Sequence, residues 1–150
     1  MKVRYMHRPL VFAIALALSV PAPLLAVPAW PGTEAEAPAI GGWDPVSYFT
    51  GTPAPGDTAF TATIGTASFR FASAANRDAF IADPARYTPQ FGGHCAWAAS
   101  QGRLATPDPR LWKIVDAKLY LNCSDEAEKK WLADVPGNIA KGNAFWATQQ

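Results

Sequence analysis

The chain has 150 residues, with 13 Lys+Arg against 12 Asp+Glu, two histidines, two cysteines and 14 prolines. A near-neutral chain with no basic run lacks the clustered cations that displace counterions from a phosphate backbone, which excludes an electrostatic nucleic-acid binder. The length suits one domain with one core, and no internal repeat is evident.

Lys2, Arg4 and Arg8 precede the apolar run Leu10 to Val20, broken only by Ser19, the layout of a secretory signal. The run is shorter than the roughly 20 residues of a membrane-spanning helix. Pro21, Pro23 and Pro28 break any helix that would lengthen it. Cleavage after small residues near Ala26 or Ala29 leaves no transmembrane segment and makes the product periplasmic or secreted. The expected organisation is a signal peptide over 1–29, a flexible Pro-, Ala- and Glu-rich linker over 30–40, and a folded domain over 41–150. Removing Lys2, Arg4 and Arg8 leaves 10 Lys+Arg against 12 Asp+Glu. The mature chain retains one imidazole, His94, and two thiols, Cys95 and Cys123, and no methionine.

Alternation around Gly65 predicts a first hairpin over 58–64 and 66–71, with Phe60, Ala62 and Ile64 on one face and Phe69 and Phe71 on another. Ser73 is an N-cap for a helix over 74–82 whose buried edge is Phe80 and Ile81. Asp83-Pro84 ends it, because the residue before proline is pushed out of the helical region. Gly92-Gly93 allows unusual backbone angles, and a short helix over 94–101 stops at Gly102. After a loop over 104–109, residues 112–115 and 119–123 predict a second hairpin around 116–118. Its residues Leu119, Leu121 and Cys123 face the core, and Lys118, Tyr120 and Asn122 face away. Ser124 caps an acidic-fronted helix with Trp131 and Leu132 on its apolar face, and a last helix over 138–148 is anchored by Ile139, Phe145 and Trp146. The fold class is α+β: a small single domain of two antiparallel β-hairpins with three or four short helices.

The ordered segments GGWDPVSYF (41–49), FRFASAANRDAF (69–80), DPARY (83–87), GGHCAWAASQG (92–102) and LYLNCSDEAEKKWLADVPGNIAKGNAFW (119–146) together resemble the YHS domain family, in its extended, exported subgroup. The resemblance implies an exported α+β module and, in the metal-binding form, thiolate ligands at positions that hold Ser47, Ala72 and Asn76 here. A soft cation such as Cu(I) or Zn(II) needs three or four such ligands. These three side chains do not supply them, so the family's thiolate site is not carried over. The subgroup usually has the first cysteine and not the second.

The residues left for chemistry support several readings. A copper or zinc site would use His94 and Cys95 at the irregular turn after Gly92-Gly93, joined by Cys123, Asp44 or Tyr48. Adjacent side chains diverge on helices and strands, so only that turn would let both bind one ion. A ligand pocket would be lined by Trp43, Tyr48, Phe49, Phe91 and Trp97, with Asp44, Tyr48 and Trp97 as its binding residues; the same aromatics equally suit a core. Export allows a Cys95–Cys123 disulfide, which competes with thiolate metal binding for the same sulfurs. Cys95 as a nucleophile lacks a second histidine to serve as its base. Neither CxxC nor CxxCH occurs, which removes a thioredoxin-type motif and covalent haem, leaving haem only on His94. Asp44-Pro45 suits a turn whose carboxylate accepts backbone N–H bonds, and Asn122-Cys123-Ser124 matches a glycosylation sequon. The expected function is a non-catalytic binding module for a metal ion or small ligand near the GGHCAW turn. The alternative is a periplasmic protein-interaction or assembly module held by the disulfide.

Overall fold

The computed structural model describes residues 37–149; the expected signal peptide, and the expected linker up to residue 36, lie outside the described residues. The fold is α+β, with two separate antiparallel hairpins. The first pairs β1 (Asp57–Ile64) with β2 (Ala67–Phe71), and the second pairs β3 (Asp108–Val115) with β4 (Lys118–Asn122). Five helices accompany them: α1 (Ala74–Ala82), α2 (Pro84–Tyr87), α3 (Ala96–Ser100), α4 (Asp125–Leu132) and α5 (Val135–Trp146). Short 3-10 turns lie at Ala39–Gly42, Ser47–Thr50 and Phe91–Gly93. No helix among the described residues is long and apolar enough to cross a membrane.

The helix boundaries follow the local chemistry. Ser73 accepts from Asn76 N and Ser124 from Ala127 N, so each hydroxyl satisfies one amide that a helix start leaves unpaired. Asp83 and Asp134 do the same for α2 and α5, accepting from Arg86 N and Gly137 N. The prolines just inside these starts, Pro84 and Pro136, have no amide to satisfy.

These matching caps belong to a larger pattern that the sequence does not advertise. β1 begins at residue 57 and β3 at 108, an offset of 51, and the same offset relates the two halves throughout. Asp57 pairs with Phe71 and Thr61 with Arg70; Asp108 pairs with Asn122 and Trp112 with Leu121, with a bulge at the same place in each hairpin. Ile40, Gly41 and Gly42 have left-handed φ of 57°, 60° and 83°; Phe91, Gly92 and Gly93 have 57°, 57° and 77°. Asp44 N donates to Ala54 O and Cys95 N to Ala105 O, both at 2.9 Å. Asp83 and Asp134 share one unusual conformation, φ −149° and ψ 76° against −150° and 74°. The domain is thus two copies of one turn–hairpin–helix–helix unit in tandem.

Each copy builds a core from equivalent positions. Ile40, Phe69 and Phe80 cluster in the first, and Phe91, Tyr120 and Trp131 in the second. The ring pairs Phe69–Phe80 and Tyr120–Trp131 have centroids 4.8 and 5.4 Å apart. Full burial of side chains of this kind stabilises a fold by about 1.5–3 kcal/mol each. The copies join through β4, whose Leu119 and Leu121 pack into the first core while Tyr120 sits in the second. Both faces of this strand are therefore buried, and Tyr120 (2 % exposed) and Asn122 (0 %) do not face away as alternation suggests. Asn122 in its sequon is accordingly out of solvent.

Other differences have local causes. Ala39 and Ile40, read as the linker's end, are core residues at 0 % and 4 % exposure. Ile81 and Leu132, read as buried edges, are exposed, because a single ring on each helix (Phe80, Trp131) reaches the core. The last helix starts at Val135, four residues after the buried Trp131, since Asp134 caps it.

Candidate functional site

The residues singled out for chemistry gather at two places that are equivalent under the tandem repeat. In the first copy the centre is Asp44, fully buried. Its Oδ1 accepts from Val46 N at 2.8 Å, and its Oδ2 from Ala72 N at 2.9 Å and Asn76 Nδ2 at 2.6 Å. Ser47 closes the cluster, donating to Asp44 O at 2.6 Å and accepting from Ala54 N at 2.9 Å. Ser47 thus meets the main-chain oxygen of Asp44, and Ala72 and Asn76 meet at the carboxylate of the same residue. Three neutral N–H donors hold it, the arrangement that lets a buried acceptor persist without a cation.

In the second copy Cys95 stands where Asp44 does, Cys123 where Ala72 does, and Ala98 and Ala127 where Ser47 and Asn76 do. Here Cys95 and Cys123 form a disulfide with Cα atoms 5.3 Å apart. Ala98 and Ala127 pack around Cys95. The two chain points that the first copy ties by Asp44 to Ala72 N are tied here by a covalent bond. Asp44 with its amide donors and cysteine with its methyl neighbours are internally consistent sets, one polar and one apolar.

The other candidates are placed separately. His94, 7 % exposed, lies beside Trp146 with ring centroids 6.1 Å apart, while the Cys95 sulfur is directed to Cys123. Tyr48, 1 % exposed, donates to Pro109 O at 2.7 Å and packs edge-on against Trp112, fastening the first copy to β3. Burial, then the charges of Asp108 and Asp44, push its phenol well above the ordinary tyrosine range. Trp97 is half-buried among both second-copy clusters, and its N donates to Asn122 Oδ1 at 3.1 Å. None of Asp44, Tyr48 and Trp97 lines any of the three clefts described below. Among the described residues no three His, Cys, Asp or Glu side chains come together as metal ligands.

Three clefts flank these centres. One of about 250 Å³ lies where the two glycine turns meet, lined by Pro38, Ile40, Gly41, Gly93, Pro107 and Pro109 among others, with no titratable side chain. A second, of about 500 Å³, is lined by Asp108, Arg110, Leu111, Cys123, Ser124 and Asp125. In it the Arg110 guanidinium hydrogen-bonds Asp108 and holds that carboxyl down at about 2. The third, of about 420 Å³, has walls that include Ile64, Pro84, Pro89, Phe91, Gly92 and Trp146. Neither the disulfide-side cleft nor the apolar groove follows from sequence spacing, because each is bounded by elements of both copies or by both ends of one hairpin.

No family model matches the chain, and neither does any curated protein or solved structure.

Proposed function

We propose that this chain is an exported, non-catalytic module of YHS type that acts by binding a protein partner. The observation that carries the reading is the open groove walled by Ile64, Pro84, Pro89, Gly92 and Trp146, where apolar surface from both copies is left accessible. Ile64, 40 % exposed, shows that this wall is open to a partner and not sealed by the core. The other candidate groups are engaged within the fold: Asp44 accepts from three N–H donors, and both sulfurs are in one bond.

The soft-metal alternative is supported less well. Ser47 Oγ is engaged by Asp44 O and Ala54 N, Asn76 Nδ2 donates to Asp44, and the Ala72 side chain has no ligand atom. A soft cation would find no thiolate there. The YHS resemblance supports the module type, and the cationic start followed by a short apolar run supports export.

Native protein immobilised on beads and its Ile64→Glu variant test the proposal against periplasmic extract, with sedimentation of the purified protein alongside. A defined partner, or a concentration-dependent self-association, that the native protein shows and Ile64→Glu loses supports it. A monodisperse monomer that captures nothing, while binding Cu(I) or Zn(II) tighter than millimolar, rejects it in favour of a metal module.

A further inference from the structure

We infer that the Cys95–Cys123 disulfide is a thiol-exchange site, entered at the Cys123 sulfur from the cleft lined by Asp108, Arg110, Leu111, Ser124 and Asp125, and selective for cationic thiols. Three observations lead there. The two sulfurs differ in access: Cys95 is fully buried, while Cys123 is half-buried and lines the cleft. An incoming thiolate therefore has one sulfur to attack. The first copy shows that the fold does not need the covalent bond at this place, since the carboxylate of Asp44 holds the equivalent points together through Ala72 N. Opening the bond leaves two thiols that the backbone keeps close enough to re-form it. Finally, the cleft carries a definite charge. Arg110 is paired with Asp108 at 2.6 Å, so that pair is neutral, and Asp125 remains as a net negative charge.

The exchange balances as follows. A thiolate from a small or protein dithiol forms a bond to Cys123 Sγ, and the Cys95–Cys123 bond breaks. The electron pair leaves on Cys95 Sγ, which takes a proton from solvent. The second thiolate of the same reductant then attacks its own sulfur in the mixed disulfide and releases Cys123 as a thiolate. The protein disulfide is reduced by two electrons and the dithiol is oxidised to its disulfide. Cys95 is packed among Ala98 and Ala127, so exchange is regulated by access to Cys123 from the cleft.

The charge argument sets the size of the selectivity. Two thiols that differ by two charge units, at roughly 6 Å from the Asp125 carboxylate in water, should differ about tenfold in rate, and salt should shrink the difference. Oxidised full-length mature protein is treated with cysteamine and, separately, with 2-mercaptoethanesulfonate, and rates are compared per thiolate. Mixed disulfides are trapped by acid and located by peptide mass. The expected result is adduct on Cys123, a cysteamine preference of about tenfold at low salt, a preference diminished in Asp125→Asn, and a reduced protein that keeps its near-ultraviolet dichroism. Adduct on Cys95, equal rates for the two thiols, or reduction no faster than global unfolding would overturn the inference. Partner capture through Ile64 is read in a separate assay, so either proposal can fail alone.

Discussion

Replacing Asp44 and Ala72 by cysteines, together with Asn76→Ala, gives the first copy the side chains that the second copy has at the same places. The tandem geometry predicts that the introduced thiols join, because Cys95 and Cys123 occupy the corresponding backbone positions and are bonded. Closing a loop with a sequence separation of 28, as the native pair does, stabilises by about 3–4 kcal/mol in the chain-entropy model. Against this, three hydrogen bonds to Asp44 are lost, worth about 1 kcal/mol each. The oxidised variant should therefore have nearly native stability. Its fully reduced form should fall below the reduced native protein by about 3 kcal/mol, which shifts the urea midpoint by about 1–3 M for a small domain. Thiol counting under denaturing, non-reducing conditions and urea titration followed by tryptophan fluorescence provide the readout. A folded variant with two titratable thiols, or one whose new sulfurs pair with Cys95 or Cys123, would refute the equivalence of the two copies.

Two further outcomes follow from packing and titration. Gly92→Ala places a Cβ 2.6 Å from the Trp146 ring at a φ of +57°, whereas Gly51→Ala, at +78°, meets nothing within 4 Å. Left-handed strain costs about 1–2 kcal/mol at either position. Overpacking adds about 1–3 kcal/mol at Gly92 alone, so equal urea midpoints for the two variants would contradict the Trp146 contact. Tyr48 retains its proton in the folded state above the ordinary value of 10.0, because burial and the nearby Asp108 and Asp44 disfavour the phenolate. Above pH 10 the unfolded chain releases that proton and the folded one does not, so stability falls as pH rises, by up to about 1.4 kcal/mol per pH unit. Tyr120, raised by burial and then by Asp116, adds in the same direction. Tyr48→Phe should flatten the decline while costing about 1 kcal/mol at neutral pH for the lost bond to Pro109 O; an unchanged slope would count against the assignment.

What sequence reasoning could see was local. Ser73 and Ser124 as caps, Asp83-Pro84 as a stop, and both hairpins follow from turn chemistry and period-two alternation, which depend on a few neighbouring residues. The tandem repeat escaped because the two copies agree mainly where the backbone demands it: Gly41 with Gly92, Gly42 with Gly93, Gly51 with Gly102, Asp57 with Asp108, Ser73 with Ser124 and Asp83 with Asp134. Core positions changed size together, Ile40 to Phe91 and Phe80 to Trp131, so the hydrophobic pattern is kept while the letters differ. The paired glycines followed by a Ser-capped helix and an Ala-Asp stop, read at one spacing, were the available signal. Tyr48 and Asp44 were visible as polar residues in an aromatic stretch. That one fastens β3 and the other gathers Ala72 and Asn76 depends on contacts 61, 28 and 32 residues away in sequence.

The two central sites then bear on how one scaffold changes its chemistry. A carboxylate at the position of Asp44 is tolerable only with donors around it, and the Val46 and Ala72 amides and the Asn76 side chain supply them. A sulfur at the position of Cys95 is best served by hydrocarbon and a second sulfur, and Ala98, Ala127 and Cys123 are there. Changing one member of either set alone strands a buried polar atom or opens a void, each costing about 1–3 kcal/mol. The members therefore change as a group. The second copy puts a sulfur, Cys123, at the equivalent of Ala72. The backbone at this position thus accommodates a sulfur, and the residue at the facing position decides the tie: Cys95 makes a disulfide to Cys123, whereas the Asp44 carboxylate accepts from the Ala72 amide.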